Sequence, residues 1–140
     1  MKKILVAIEI ARQGGNDAAI TTAQNIAKAM GGEIILLHVI EQAPQYVNAQ
    51  LPKGILVEQL QAAKTGIREL AAQYDCSDAV ICEGQPATEI LEYASEIKAD
   101  LIVLQSHDPN ITTYFLGSVA SRVVRHARCS VHVVRQPESD

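Results

Sequence analysis

The residues best suited to polar chemistry lie together in Ser106-His107-Asp108-Pro109-Asn110-Ile111-Thr112-Thr113-Tyr114-Phe115-Leu116-Gly117-Ser118. This segment leaves the apolar run Leu101-Ile102-Val103-Leu104 and enters a stretch of helical periodicity. The first turn of a helix carries unpaired N–H groups and partial positive charge, a ready receptor for a phosphate. Gly117 lets a ligand approach the backbone closely, and the Ser118 hydroxyl can donate to an anion. The same hydroxyl can instead cap the helix by accepting the amide hydrogen of Ser121, and the residues alone leave both roles open. His107 is placed either to hydrogen-bond a phosphate and titrate near neutrality or to brace the Asp108-Pro109 turn.

Other chemistries find little support. Ser118 has no base close in sequence, and no Gly-x-Ser-x-Gly elbow is present. The lysine–glycine neighbours Lys53-Gly54 and Lys64-Thr65-Gly66 lack the glycine loop of a Walker motif. Cys76, Cys82 and Cys129 form no C-x-x-C and suit free buried thiols. His38, His126 and His132 fall in strands or at a helix end and have no metal-ligand spacing. No catalytic residue and no metal ligand is expected. Arg122, Arg125 and Arg128 recur every three residues, a stripe that meets either solvent or an acidic partner.

Two periods alternate along the chain and define the elements that must position these groups. Lys3–Ile8, Glu33–Ile40, Asp78–Glu83, Leu101–Leu104 and Ser130–Arg135 are short runs rich in branched residues. The unbroken apolar character of the second and fourth suits strands covered on both faces, as in a parallel sheet. Between them, Ala19, Ala23, Ile26 and Met30 share one helical face, ended by Gly31-Gly32. Leu56, Leu60, Ala63, Ile67, Leu70 and Tyr74 form a longer stripe. Pro86 opens a third helix with Ile90, Leu91, Ala94 and Ile97 inward. A fourth, opened by Gly117-Ser118, turns Val119, Val123 and Val124 to one side.

Strand and helix thus alternate four times before a final strand, which predicts one α/β domain over residues 1–140. Its expected form is an open, doubly wound, five-stranded parallel sheet of order 3-2-1-4-5 with helices on both faces. Strands one and four then lie side by side with connections leaving to opposite faces, and a crevice opens at their C-terminal ends. Ala7-Ile8-Glu9-Ile10 and Gln105-Ser106-His107-Asp108 would border it.

Composition narrows the guest. The 140-residue chain is 48% hydrophobic, has a net charge of −4, no Trp and one Phe. It lacks the basic stripe and aromatic platforms of a nucleic-acid binder. Its longest apolar runs are too short to span a bilayer, and Met1-Lys2-Lys3-Ile4 begins no signal-type apolar core. No nucleic acid, no membrane insertion and a cytoplasmic location are therefore expected.

Several segments resemble the universal stress protein family: Ile4-Leu5-Val6-Ala7-Ile8-Glu9, Leu36-Leu37-His38-Val39-Ile40 and Glu83-Gly84-Gln85-Pro86. To these are added the closing Leu116-Gly117-Ser118-Val119-Ala120 and Val124–Arg135. The Ser-His-x-Pro and Ile-Thr-Thr-Tyr stretches lie nearest the F/G type of enterobacteria. The resemblance implies a cytoplasmic stress-response homodimer that binds ATP or AMP without fast turnover, with Mg2+ entering only alongside ATP. It places adenine against the backbone of Ala7, Glu9 and Val39. The phosphates would lie on a Gly-x-x-Gly loop that leads to Gly-Ser. The implied nucleotide site is Ala7, Ile8, Glu9, Val39, Ser106, His107, Gly117, Ser118 and Val119.

The chain departs from that loop at Gln105 and Asp108, which stand where the two glycines would be, with eight residues between Asp108 and Gly117. In the nearest branch an arginine occupies the position of Asp108. A carboxylate about 4 Å from a phosphate costs roughly 1 kcal/mol in water and several times that at a partly buried site. AMP is therefore favoured over tightly held ATP. The alternative is a dimeric interaction module that has lost nucleotide binding and docks a protein partner such as a transporter. A third reading is a slow ATP hydrolase or autophosphorylating protein with Ser118 as acceptor. In the expected strand order Ser130–Arg135 is an unblunted edge, able to pair with a second copy about a twofold axis. Gln45–Pro52 is either a lid that brings Tyr46 over the crevice or a plain surface loop.

Overall fold

The computed structural model describes residues 1–9, 16–41, 54–106 and 117–135. Their elements, in chain order, are β1 (Lys2–Ile8), α1 (Asp17–Met30), β2 (Gly32–Ile40), α2 (Ile55–Gln73) and β3 (Asp78–Glu83). They continue with α3 (Pro86–Ile97), β4 (Leu101–Ser106), α4 (Ser118–His126) and β5 (Ser130–Arg135). All five strands are parallel, in the order β3-β2-β1-β4-β5. This is the doubly wound α/β arrangement that the alternating periods predict.

The two faces of the sheet bury separate apolar layers. Ile4, Val6 and Ile8 of β1 point to α1 and α2, where Ile20 and Ile67 meet them. Leu5 of β1 and Leu37 of β2 point the other way, to Ile90 of α3 and Val123 of α4. Successive strand side chains alternate between faces. A central strand with helices on both sides therefore needs apolar residues at every position, which is why Ile4-Leu5-Val6 shows no polar alternation.

The ends of the helices follow local chemistry. Gly31 closes α1 in the left-handed conformation, φ 71°, with its N–H donating to the Ala27 carbonyl. Pro86 sits in the first turn of α3, and the Gln85 side chain accepts the Thr88 N–H at 2.8 Å. The last helix differs from the sequence expectation. Val124 is 45% exposed, and the buried stripe is Ala120 and Val123 with Val119 half-buried. Val124 lies about 100° around the helix from Val123, beyond reach of the sheet. Arg128 falls past the end of α4, so only Arg122 and Arg125 ride on the helix, both exposed. The three cysteines are free but half-buried rather than buried.

Candidate functional site

The sheet divides at its C-terminal edge. The β1–β4 ladder ends at Val6↔Val103, whereas β1 stays with β2 to Ile8↔His38 and β4 stays with β5 to Ser106↔Arg135. Ala7-Ile8-Glu9 and Leu104-Gln105-Ser106 thus border a gap in which the closing ladder is missing. This gap is the crevice that connections leaving to opposite faces produce.

Alternation sorts the bordering side chains. Ala7 and Val39 lie on the α3/α4 side and pack, with Val119 of α4, against the same apolar cluster. Three residues expected to line the site therefore share one face of the sheet. Ile8 points to the α1/α2 side, where it is 5% exposed, so its side chain belongs to the core. Its carbonyl oxygen is 3.1 Å from His38 Nδ1. A carbonyl only accepts, so Nδ1 carries the proton. His38 thus braces the ends of β1 and β2, in keeping with a structural histidine.

Asn16 is the residue that sequence reasoning missed. Its position just before α1 reads as a helix cap, yet its side chain makes no capping bond. The carboxamide instead reaches back to the end of β1. Its Oδ1 accepts the Glu9 N–H at 3.0 Å, and its Nδ2 donates to the Glu9 carbonyl at 2.6 Å. Asn16 is 9% exposed. This two-point clamp engages both the N–H and the carbonyl of Glu9, whose side chain is exposed. An amide side chain equating itself with a backbone peptide unit leaves no periodic trace in the sequence.

At the other border, α4 begins without a side-chain cap. The Ser121 N–H donates to the Gly117 carbonyl at 2.9 Å, the ordinary first bond of the helix. Ser118 is exposed and stands one residue past the Gly117 N-cap, as the first residue of α4. A Cβ built on Gly117 would meet nothing within 4 Å, and its φ of −59° suits any residue. Among the described residues nothing requires glycine there. Gln105, on the α1/α2 side by alternation from Val103, places its Oε1 in a buried position with no hydrogen-bond partner. A buried acceptor without a donor costs about 1–3 kcal/mol.

The structure describes Ser106 as the last residue of β4, opposite Arg135; its side chain, His107, Asp108, Tyr46 and the Gln45–Pro52 loop lie outside the described residues. Among the described residues no group of three or more His, Cys, Asp or Glu is placed to hold a metal. No thiol is activated: burial pushes Cys82 and Cys129 up, and Cys76 up to about 11. Among the described residues no helix is long and apolar enough to cross a membrane.

A doubly wound parallel sheet that opens between β1 and β4 defines the class of the protein as open-sheet α/β. The family model of the universal stress proteins matches residues 1–135. Universal stress protein G of Salmonella typhimurium is 31% identical over 141 residues, covering 96% of this chain and 99% of that one. The chain belongs to the universal stress protein family. Among solved structures, universal stress protein UspA from Lactobacillus plantarum superposes with a TM-score of 0.75 at 28% identity, covering 96% and 97% of the two chains. A universal stress protein from Archaeoglobus fulgidus in complex with dAMP shares the fold, with a TM-score of 0.66, 17% identity and coverage of 96% and 98%.

Proposed function

We propose that the β1–β4 gap binds an adenine nucleotide, and that the chain, one domain over residues 1–140, acts as a cytoplasmic stress-response regulator. It reports occupancy rather than turning a substrate over. The observation that carries this reading is the parting of β1 from β4 beside the start of α4 at Gly117, a residue with no side chain of its own to cap the helix. Adenine lies on the apolar patch of Ala7 and Val39, with Val119 opposite. The phosphate meets Gly117, Ser118 and the dipole of α4, aided from the loop by Ser106 and His107. Ile8 contributes its backbone, and the Glu9 carboxylate suits a ribose hydroxyl.

The dAMP complex of the Archaeoglobus relative supports an adenine guest in this fold. Asp108 favours AMP over ATP, with Mg2+ needed only if ATP enters. Displacement of a fluorescent AMP analogue tests the site: AMP should compete and GMP should not. Equal competition by both would reject adenine recognition.

The homodimer of this reading forms through β5. That strand pairs with β4 on one side and ends the sheet on the other, with Val131, Val133 and Val134 half-buried in the single chain. Val133→Pro, or Val131→Lys on the same edge, should give a monomer by analytical ultracentrifugation. An unchanged dimer in both variants would reject this interface. The interaction-module reading draws on the same edge and on the exposed Val124; it becomes the account if no nucleotide binds.

A further inference from the structure

At the opposite edge of the sheet, the C-terminal ends of α3 and α4 meet over the starts of β4 and β5. Between them lies a half-open cavity of about 360 Å³. Its floor is apolar and includes Ala94, Ile102 and Ala127, which belong to the α3/α4-side core or pack on it. Its rim carries Lys98, His126 and Arg128, all exposed. That volume lies within the lower range of small-molecule pockets.

The cations here have no structural duty that the structure shows. Cationic side chains near helix ends commonly serve the last carbonyls. Here the Ala94 carbonyl accepts from the Ala99 N–H at 2.9 Å, Ser95 from Lys98 at 3.2 Å, and Val123 from Ala127 at 2.8 Å. No ion pair among the described residues holds Lys98, His126 or Arg128. The carboxylate of Asp100, close enough to act on the Cys129 thiol, accepts the Lys3 N–H at 2.8 Å. From Gly117 to Arg135 the chain has four arginines, two histidines and no acid, against a net charge of −4 overall.

Lys98 adds an independent sign. It closes α3 in the left-handed conformation, φ 56° and ψ 53°, a place that favours glycine. A long cationic side chain is kept where the backbone would be better served without one. Backbone strain of this kind persists where the side chain has a use.

We propose that this cavity is a second ligand site, separate from the nucleotide gap, for a small amphipathic anion. An oxyanion head sits at Lys98 and Arg128, and an apolar body lies on Ala94, Ile102 and Ala127. The site does not depend on the nucleotide reading, because the two lie at opposite edges of the sheet. The body is a medium-length acyl chain or a fused aromatic ring, and the test separates them.

The probe is 1-anilinonaphthalene-8-sulfonate, titrated into the full-length folded protein and then displaced by decanoate or by 2-naphthoate. Saturable one-site binding is expected, unaffected by saturating AMP. Lys98→Gly and Arg128→Gln should each weaken it about tenfold or more, the loss expected for one charge-assisted hydrogen bond. Lys98→Gly should also leave the melting temperature unchanged or higher, because it relieves the left-handed backbone. Weaker binding in a protein that is at least as stable cannot come from lost folding. Displacement by decanoate alone assigns an acyl carboxylate, by naphthoate alone an aromatic one. The proposal is overturned by absent or non-saturable binding, by equal affinity in native protein and both variants, by displacement with AMP, or by failure of both carboxylates to compete.

Discussion

Replacing Asn16 with alanine removes both arms of the clamp on Glu9. The side chain is 9% exposed, and its bonds of 3.0 and 2.6 Å satisfy an N–H and a carbonyl that end β1. A net contribution of about 1 kcal/mol for each bond, with a further cost for groups left part-buried, gives a loss of about 2–3 kcal/mol. For a chain of this size that corresponds to a fall in melting temperature of roughly 6–9 °C. Thermal unfolding by circular dichroism reads it directly. Asn16→Asp is the sharper variant, because it keeps the shape and the acceptor for the Glu9 N–H. It also sets an anionic oxygen against the Glu9 carbonyl. That contact raises the carboxyl pKa in the folded state above its unfolded value. Relative to the native protein, the aspartate variant should be weakest at neutral pH and recover as pH falls through the raised value. There the protonated carboxyl can donate as Nδ2 does. An alanine variant that melts within about 1 °C of the native protein would refute the clamp. So would an aspartate variant whose deficit grows on acidification.

Three further outcomes follow from the same geometry. Ser118→Ala should change stability by less than about 0.5 kcal/mol, since Ser118 is exposed and is not the N-cap of α4. It should weaken AMP binding about tenfold, the loss of one hydrogen bond to a charged group; a large drop in melting temperature would mean a structural hydroxyl. Burial, with Asp75 adding, holds the Cys76 thiol protonated up to about 11. Its alkylation, followed by peptide mass spectrometry, should be slow at pH 8 and climb toward pH 11. The raised value also means that the stability it contributes is lost as pH rises from the ordinary thiol value toward about 11. Fast alkylation at pH 7 would contradict this. Asp108→Arg should tighten ATP binding more than AMP binding, measured by analogue displacement. Unchanged affinities would show that the aspartate does not face the phosphates.

The fold was legible because its signals are periodic. Unbroken apolar runs such as Leu101–Leu104 suit strands covered twice, and the four-three stripe around Ile67 suits a helix with one wet face. The strand order was expected as the common one for such a chain, and the sheet has it. Equally legible was the shared face of Ala7, Val39 and Val119, which follows from alternation and helical register. What escaped was single side-chain geometry. Asn16 sits where a cap belongs and bonds elsewhere, and Lys98 takes a glycine's conformation without being glycine. Val124 sits one residue beyond the buried stripe, and spacing alone does not separate those neighbours on so short a helix. The Gln105 acceptor is visible in the sequence only as a departure from a family's loop; its burial without a donor is a property of the folded sheet.

Calorimetric titration of the native protein with AMP, ATP and GTP, with and without magnesium, tests the central claim most directly. Adenine-specific binding in the micromolar range, tighter for AMP than for ATP without magnesium, is the expected result. Absence of heat at millimolar nucleotide with the dimer intact would contradict it and leave the β5 edge, rather than the gap between β1 and β4, as the working surface.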